Sequence, residues 1–180
     1  MYKFRTMHVD QRSFFSSITS KNDPRIFAFG SLLRRLKVDE LPQLFNILKG
    51  EMAIIGPRPE DPNIVNKYYA PFHYETFDVL PGLASPGSIY YYTHCEAALK
   101  ENDAEESYAN QLLPIKLALD TVYAREASFV YDLRVILRAS WAIVSMAFGK
   151  HHFRNPPELK KAARLGLIPA SLIPASQTTS

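Results

Sequence analysis

From Asp39 to Gly50 the apolar positions Leu41, Leu44, Phe45 and Leu48 recur at intervals of three and four, the period of an amphipathic helix. Asp39 stands at or next to its start. Pro42 is tolerated in a first turn, where its missing N–H has no intrahelical partner, and Gly50 after Lys49 is a stop signal. The period then changes: Met52 to Ile55 is a brief apolar run closed by Gly56-Pro57 and Pro59. That pattern predicts a buried strand entering a rigid turn, which carries Arg58 and Glu60. Upstream, Phe27 to Leu36 reads as a helix bearing Arg34 and Arg35. Gln11 to Asn22 is a polar loop whose Phe14-Phe15 pair is expected in the core.

Asp61 to Tyr69 reads as a short helix with Pro62 near its start and Ile64, Val65, Tyr68 and Tyr69 on its apolar side. Tyr74 to Leu80 leads to Pro81-Gly82. Tyr90 to Tyr92 are open to uracil stacking or a membrane interface, with strand or core packing expected for at least two of them. From Asp103 to about Phe148 the period is helical again: a helix near Glu105 to Leu113 capped by Asp103, a second from Pro114 to Arg125, and a third from Ser128 to Phe148. Asp120 and Asp132 are expected at solvated helix positions.

Ala139 to Gly149 is the most apolar helical run, yet it falls short of the ~20 residues that span a bilayer. With Trp141 and Phe148 between Arg138 and Lys150 it suits a helix lying in a membrane interface, and a buried core helix fits it equally well. Past His151, Asn155-Pro156-Pro157 breaks the helix, Lys160, Lys161 and Arg164 follow, and LIPAS occurs twice from Leu167. Residues 155–180 are therefore expected to form a Pro/Ala/Ser-containing tail beyond a domain at 1–154. The fold class that follows is α+β, a mostly helical single domain with a small β-sheet and membrane-surface amphipathic helices.

Composition narrows the chemistry only a little. The 180 residues are 47% hydrophobic and 22% charged, enough for one core, and the net charge of +3 fits an anionic substrate or lipid surface. There is no glycine-rich phosphate loop, zinc-like cysteine spacing or RNA-binding aromatic signature, so nucleic acid is not an expected partner. Cys95, the single cysteine, excludes an internal disulfide; beside His94 and Glu96 it is expected in an ordinary loop or core role.

The chemistry-bearing feature is the adjacent acids Asp39 and Glu40, set between Arg34-Arg35 and Arg58. A helix cap worth about 1 kcal/mol accounts for Asp39, and favourable charge at the positive helix end accounts for Glu40. The arginines are more cation than a cap needs, and guanidinium forks match phosphate oxygens.

KFRTM at Lys3 to Met7, DPRI at Asp23 to Ile26, LRR at Leu33 to Arg35, DELPQLFNILKGEM at Asp39 to Met52 and GPRPE at Gly56 to Glu60 resemble, in order and spacing, the bacterial sugar transferase family. Its members are monotopic polyprenyl-phosphate phosphoglycosyl transferases, which start lipid-linked glycan synthesis. The resemblance covers roughly the first third of the chain. Beyond it, PGLASPGSIYYYTH shares only Pro81-Gly82 with the family's PGITG-like turn, and this loop is a candidate to touch sugar or uridine.

The resemblance implies Asp39 as nucleophile and Glu40 as its dyad partner. Asp39 would attack the sugar-bearing phosphorus of a UDP-sugar, expel UMP and hold the phosphosugar as an acyl phosphate until polyprenyl (undecaprenyl) phosphate takes it. A carboxylate nearing a diphosphate meets repulsion on the order of 4 kcal/mol per charge pair at about 4 Å and an effective dielectric of about 20. Cations must offset that repulsion. Mg²⁺ held partly by Glu40 is the expected first one. Arg58, with Arg34, Arg35, Lys3 and Arg5, supplies the rest, one of Arg34 and Arg35 being as well suited to a solvated helix face. Family members place a re-entrant membrane helix ahead of KFRTM. Here Met1 stands just before Tyr2-Lys3, so the domain is expected to be N-terminally short. The resemblance implies work at the cytoplasmic face of the bacterial inner membrane. A non-catalytic membrane-associated remnant and a soluble nucleotide-sugar-binding module are the alternatives.

Overall fold

The computed structural model describes residues 1–9, 23–35, 38–95, 108–149, 152–168 and 172, without the side chains of Arg35, Cys95 and Ala147. The calls on Phe14-Phe15 and on Asp103 to Glu105 lie outside the described residues. The chain runs through α1 (Ala28–Arg35), a 3-10 turn (Val38–Glu40), α2 (Gln43–Leu48), β1 (Ala53–Ile55), α3 (Pro62–Tyr68), a 3-10 segment (Pro71–Phe77), β2 (Gly82–Ala84) and α4 (Pro86–Tyr90). A π-helical extension of α4 (Tyr91–Cys95) follows, and after the next described residues a π-helical turn (Tyr108–Leu112) leads into α5 (Leu113–Glu126), α6 (Phe129–Ala147) and α7 (Pro157–Arg164). The architecture is mostly helical, with one small sheet.

That sheet pairs β1 and β2 in parallel, Ala53 opposite Gly82 and Ile55 opposite Ala84. Met52 and Ile55 are buried, as the short apolar run predicts. Where the strands leave the sheet their backbones nearly touch. A Cβ on Gly82 would fall 2.0 Å from the Gly56 nitrogen, which is why both turns carry glycine.

Most helix boundaries agree with their sequence signals. Gly50 adopts the left-handed φ of 74° beyond α2, Asp61 caps α3 by accepting from Asn63 N at 2.8 Å, and Ser128 caps α6. The Tyr90–Tyr92 run is an exception to its β propensity. Ser85 caps a helix with Pro86 in its first turn, and that start signal makes the tyrosines helical.

The core forms around α5, which is buried on all sides: Leu113, Leu117, Ala118, Leu119 and Val122 pack against Ile64, Tyr90, Tyr108 and α7. The described part of the segment expected as a tail belongs to this core. Leu159 and Ala162 of α7 and the following Leu167 and Ile168 are buried in it. Glu158 is buried too, held by Arg138 at 2.7 and 2.8 Å and by the Tyr131 hydroxyl at 2.8 Å. α6 ends at Ala147, with Gly149 left-handed beyond it; the Pro pair starts α7 instead, and apolar spacing in α7 brings the chain back.

Two helices turn their apolar faces outward. α2 is amphipathic, but Gln43 and Asn46 point inward while Leu41, Leu44, Phe45 (65% exposed) and Leu48 (84%) face out. Asn46 ties this inner face down, accepting from Tyr2 N at 2.8 Å and donating to Glu51 at 2.6 Å. In α6, Val135, Ala142 and Ser145 are inward, whereas Phe129, Leu133, Leu137, Trp141, Val144 and Phe148 are exposed. The apolar Ala139 to Gly149 run is thus not a buried core helix. Among the described residues no helix is long and apolar enough to cross a membrane.

Candidate active site

Asp39 and Glu40 sit on the 3-10 turn between α1 and α2, and the extended N-terminal segment is laid across that turn by a bond from Phe4 N to the Asp39 carbonyl at 2.9 Å. Asp39 is only 2% exposed, an expensive position for a carboxylate without compensation. Lys3 supplies part of it, its Nζ lying 3.1 Å from Asp39 Oδ2 and 3.7 Å from Glu40 Oε1. On the other side Arg58 Nη1 donates to Glu40 Oε2 at 2.7 Å. Burial works against the charge on Arg58, but the Glu40 hydrogen bond and the nearby carboxylates outweigh it and hold its pKa above the ordinary value. Four residues from three separate stretches of the sequence thus meet as a cation-flanked dyad.

Asp39 Oδ1 is buried and has no hydrogen-bond partner among the described residues. Leaving a charged acceptor in that state costs stability, which points to a group that arrives with the substrate. Among the described residues no three metal-ligating side chains gather, here or elsewhere. Mg²⁺ fits a site of this kind, because it is commonly held by one or two carboxylates and completes its shell with phosphate oxygens and water.

The remaining predicted cations divide. Arg34 donates through Nε to Thr6 Oγ1 at 2.8 Å, and with Lys3 and Arg5 it lines a cleft of about 510 Å³ along the N-terminal segment. Arg34 and Arg5 therefore stand along this cleft rather than on the dyad carboxylates. The Arg35 side chain lies outside the described residues.

On the Arg58 side, the structure assembles a second group of residues, of which sequence reading passed over Lys116 and Tyr108. Lys116 of α5 is 7% exposed and is ion-paired with Glu60, whose Oε1 also accepts from Tyr108 Oη at 2.8 Å. These residues, with Arg58, Tyr91 and Tyr92, line a cavity of about 250 Å³. The available signal was a lysine in the otherwise apolar run Leu112 to Leu119; its partner lies 56 residues away and has no local trace.

Asp120 corrects the expectation of a solvated position. It is fully buried because α5 is enclosed all round, and its Oδ1 accepts from Gly87 N at 2.8 Å. A Cβ at Gly87 would lie 2.7 Å from that oxygen, so glycine is what lets α4 approach. Desolvation raises the Asp120 pKa to about 6, against the lowering effect of Lys116 and the Gly87 N–H. Asp132 is half-buried and accepts from Tyr123 Oη at 2.6 Å.

With this geometry in place, comparison with known proteins shows a match of residues 1–146 to the family model described as bacterial sugar transferase. The chain is 31% identical over 147 residues to the UDP-N-acetylgalactosamine-undecaprenyl-phosphate N-acetylgalactosaminephosphotransferase of Aeromonas hydrophila, covering 81% of this chain and 32% of that protein. It is 55% identical over 60 residues to the UDP-glucose:undecaprenyl-phosphate glucose-1-phosphate transferase of Xanthomonas campestris pv. campestris, covering 33% and 12%. To the exopolysaccharide production protein ExoY of Sinorhizobium fredii it is 35% identical over 125 residues, covering 68% and 47%. In each case the chain spans less than half of the relative's length.

Proposed function

The chain belongs to the bacterial sugar transferase family, and from that premise we propose that it transfers a phosphosugar from a UDP-sugar to polyprenyl (undecaprenyl) phosphate. The observation that carries this reading is Asp39: a buried carboxylate with one oxygen held by Lys3 and the other without a partner, beside a glutamate held by Arg58. Oδ1 attacks the sugar-bearing phosphorus, the phosphorus–oxygen bond to UMP breaks, and UMP leaves with the electron pair. An oxygen of the lipid phosphate then attacks the same phosphorus and frees Asp39, giving a polyprenyl diphosphate sugar. Lys3 and Arg58 lower the repulsion between carboxylate and diphosphate, and Arg34 and Arg5 offer further positive charge along the adjoining cleft. Mg²⁺, held partly by Glu40, would supply charge neutralisation on the phosphates.

In this reading the outward apolar faces of α2 and α6 lie on the lipid surface at the cytoplasmic face of the inner membrane. Such placement brings the dyad turn, which directly precedes α2, to the depth of the lipid phosphate.

Intact-protein mass spectrometry after incubation with Mg²⁺ and a panel of UDP-sugars, paired with a UMP assay, tests the reaction. A phosphosugar adduct mapped to Asp39 and absent from Asp39→Asn is the expected result. A folded chain that gives neither adduct nor UMP with any donor overturns the proposal.

A further inference from the structure

The cavity beside Arg58 is not used by the chemistry at the dyad, yet it adjoins it directly. Arg58 is common to both, bonding Glu40 on one side and lining the cavity on the other. Within the cavity a buried lysine and a half-buried glutamate are paired, an arrangement that contributes little to stability relative to apolar packing and so asks for another purpose. Around them stand the rings of Tyr91, Tyr92 and Tyr108. Apolar walls with a few converging polar groups are the usual make-up of a small-molecule site.

We propose that this cavity holds the hexose of the nucleotide sugar, with Glu60 and Lys116 reading its hydroxyls and the tyrosines taking its apolar ring face. The inference rests on the transferase reading and adds to it the part of the site that selects the sugar. A carboxylate accepts from two adjacent hydroxyls, while the ammonium donates to a third oxygen. A uracil edge is a poorer match, since it offers the Glu60 carboxylate one donor, N3–H, where a hexose offers several adjacent hydroxyls. Burial, with Glu60 nearby, pushes the Tyr108 phenol pKa upward, so the phenol stays a donor and fixes the carboxylate. The volume of about 250 Å³ is of the size a single sugar ring needs rather than a whole nucleotide. Sequence reading left the loop after Pro81-Gly82 open to either sugar or uridine; this geometry favours the sugar.

Calorimetric titration in an Asp39→Asn background, which leaves donors intact, tests the assignment with UDP-glucose, UDP-galactose, UDP-N-acetylhexosamines, UDP and UMP. Lys116→Met and Tyr92→Ala are expected to weaken the preferred UDP-sugar at least tenfold while changing UMP binding less than twofold. Tyr92 is half-exposed, so its variant carries the test if Lys116→Met does not fold. Equal losses for UMP and UDP-sugar would make the cavity a nucleotide site and overturn the proposal, as would unchanged binding of both by folded variants. Should the unmutated chain form no adduct while Asp39→Asn binds a UDP-sugar and the variants lose it, the transferase reading falls and the sugar site stands. A folded Asp39→Asn chain that binds no UDP-sugar overturns both.

Discussion

α2 and α5 both direct polar side chains inward, and they do so for opposite reasons. In α5 the apolar residues fill the core all round. Most of its buried polar atoms are matched: Lys116 with Glu60, Asp120 Oδ1 with Gly87 N, and Thr121 with the Leu117 carbonyl at 2.9 Å, while Asp120 Oδ2 has no partner among the described residues. In α2 the apolar residues face away from the protein, and the fully buried Gln43 has no side-chain partner among the described residues. A helix that spends its apolar face outward gains nothing from it in folding. The lesson is a division of labour, with stability in α5 and its neighbours, and the proposed chemistry in the turn and helix that start at Val38.

That division breaks most visibly at Asp39. Asp39→Asn removes the proposed nucleophile and one buried charge, so UMP release should fall on the order of 10³-fold or more while the denaturation midpoint does not drop. A midpoint that collapsed with it would place stability on the dyad side as well. Leu119→Ala, inside α5, should do the reverse, costing about 2–5 kcal/mol in denaturant unfolding because the fully enclosed site cannot relax into the space left.

Arg58→Lys keeps the charge but loses the fork that holds Glu40. A loss of about 1.5–3 kcal/mol of transition-state stabilisation, roughly 10–100-fold in kcat/KM for the UDP-sugar, is expected. Asp120 offers a pH signature. Its folded pKa, about 6, lies above the unfolded value, so the folded state binds the extra proton between the two, and stability declines as pH rises from about 4 to 6. Asp120→Asn should remove that slope, ending about 1–3 kcal/mol more stable than the parent above pH 7 and converging with it below pH 4. The smallest effect belongs to α2: Phe45→Ser with Leu48→Ser should leave unfolding within about 0.5 kcal/mol while reducing flotation with anionic liposomes. Unfolding shifted by several kcal/mol would mean that this face does pack against the protein.

What the sequence determined is what depends on near neighbours. Caps and breakers at Asp61, Ser128, Gly50 and Pro62 act within one turn, so helix ends were legible from them. The ordered motifs marked Asp39, Glu40, Lys3 and Arg58, and the family match over residues 1–146 agrees with those motifs. Periodicity also showed that α2 has an apolar side. It could not show which way that side points, because amphipathicity fixes a direction about the helix axis and not the medium it meets. The same limit hid the burial of Asp120 and the docking of α7, both set by packing against distant segments. The pairing of Glu60 with Lys116 across 56 residues, and hence the cavity beside Arg58, was decided only by the tertiary structure. An ion pair between such positions exists only once α5 has been enclosed and β1 has carried the chain past its side.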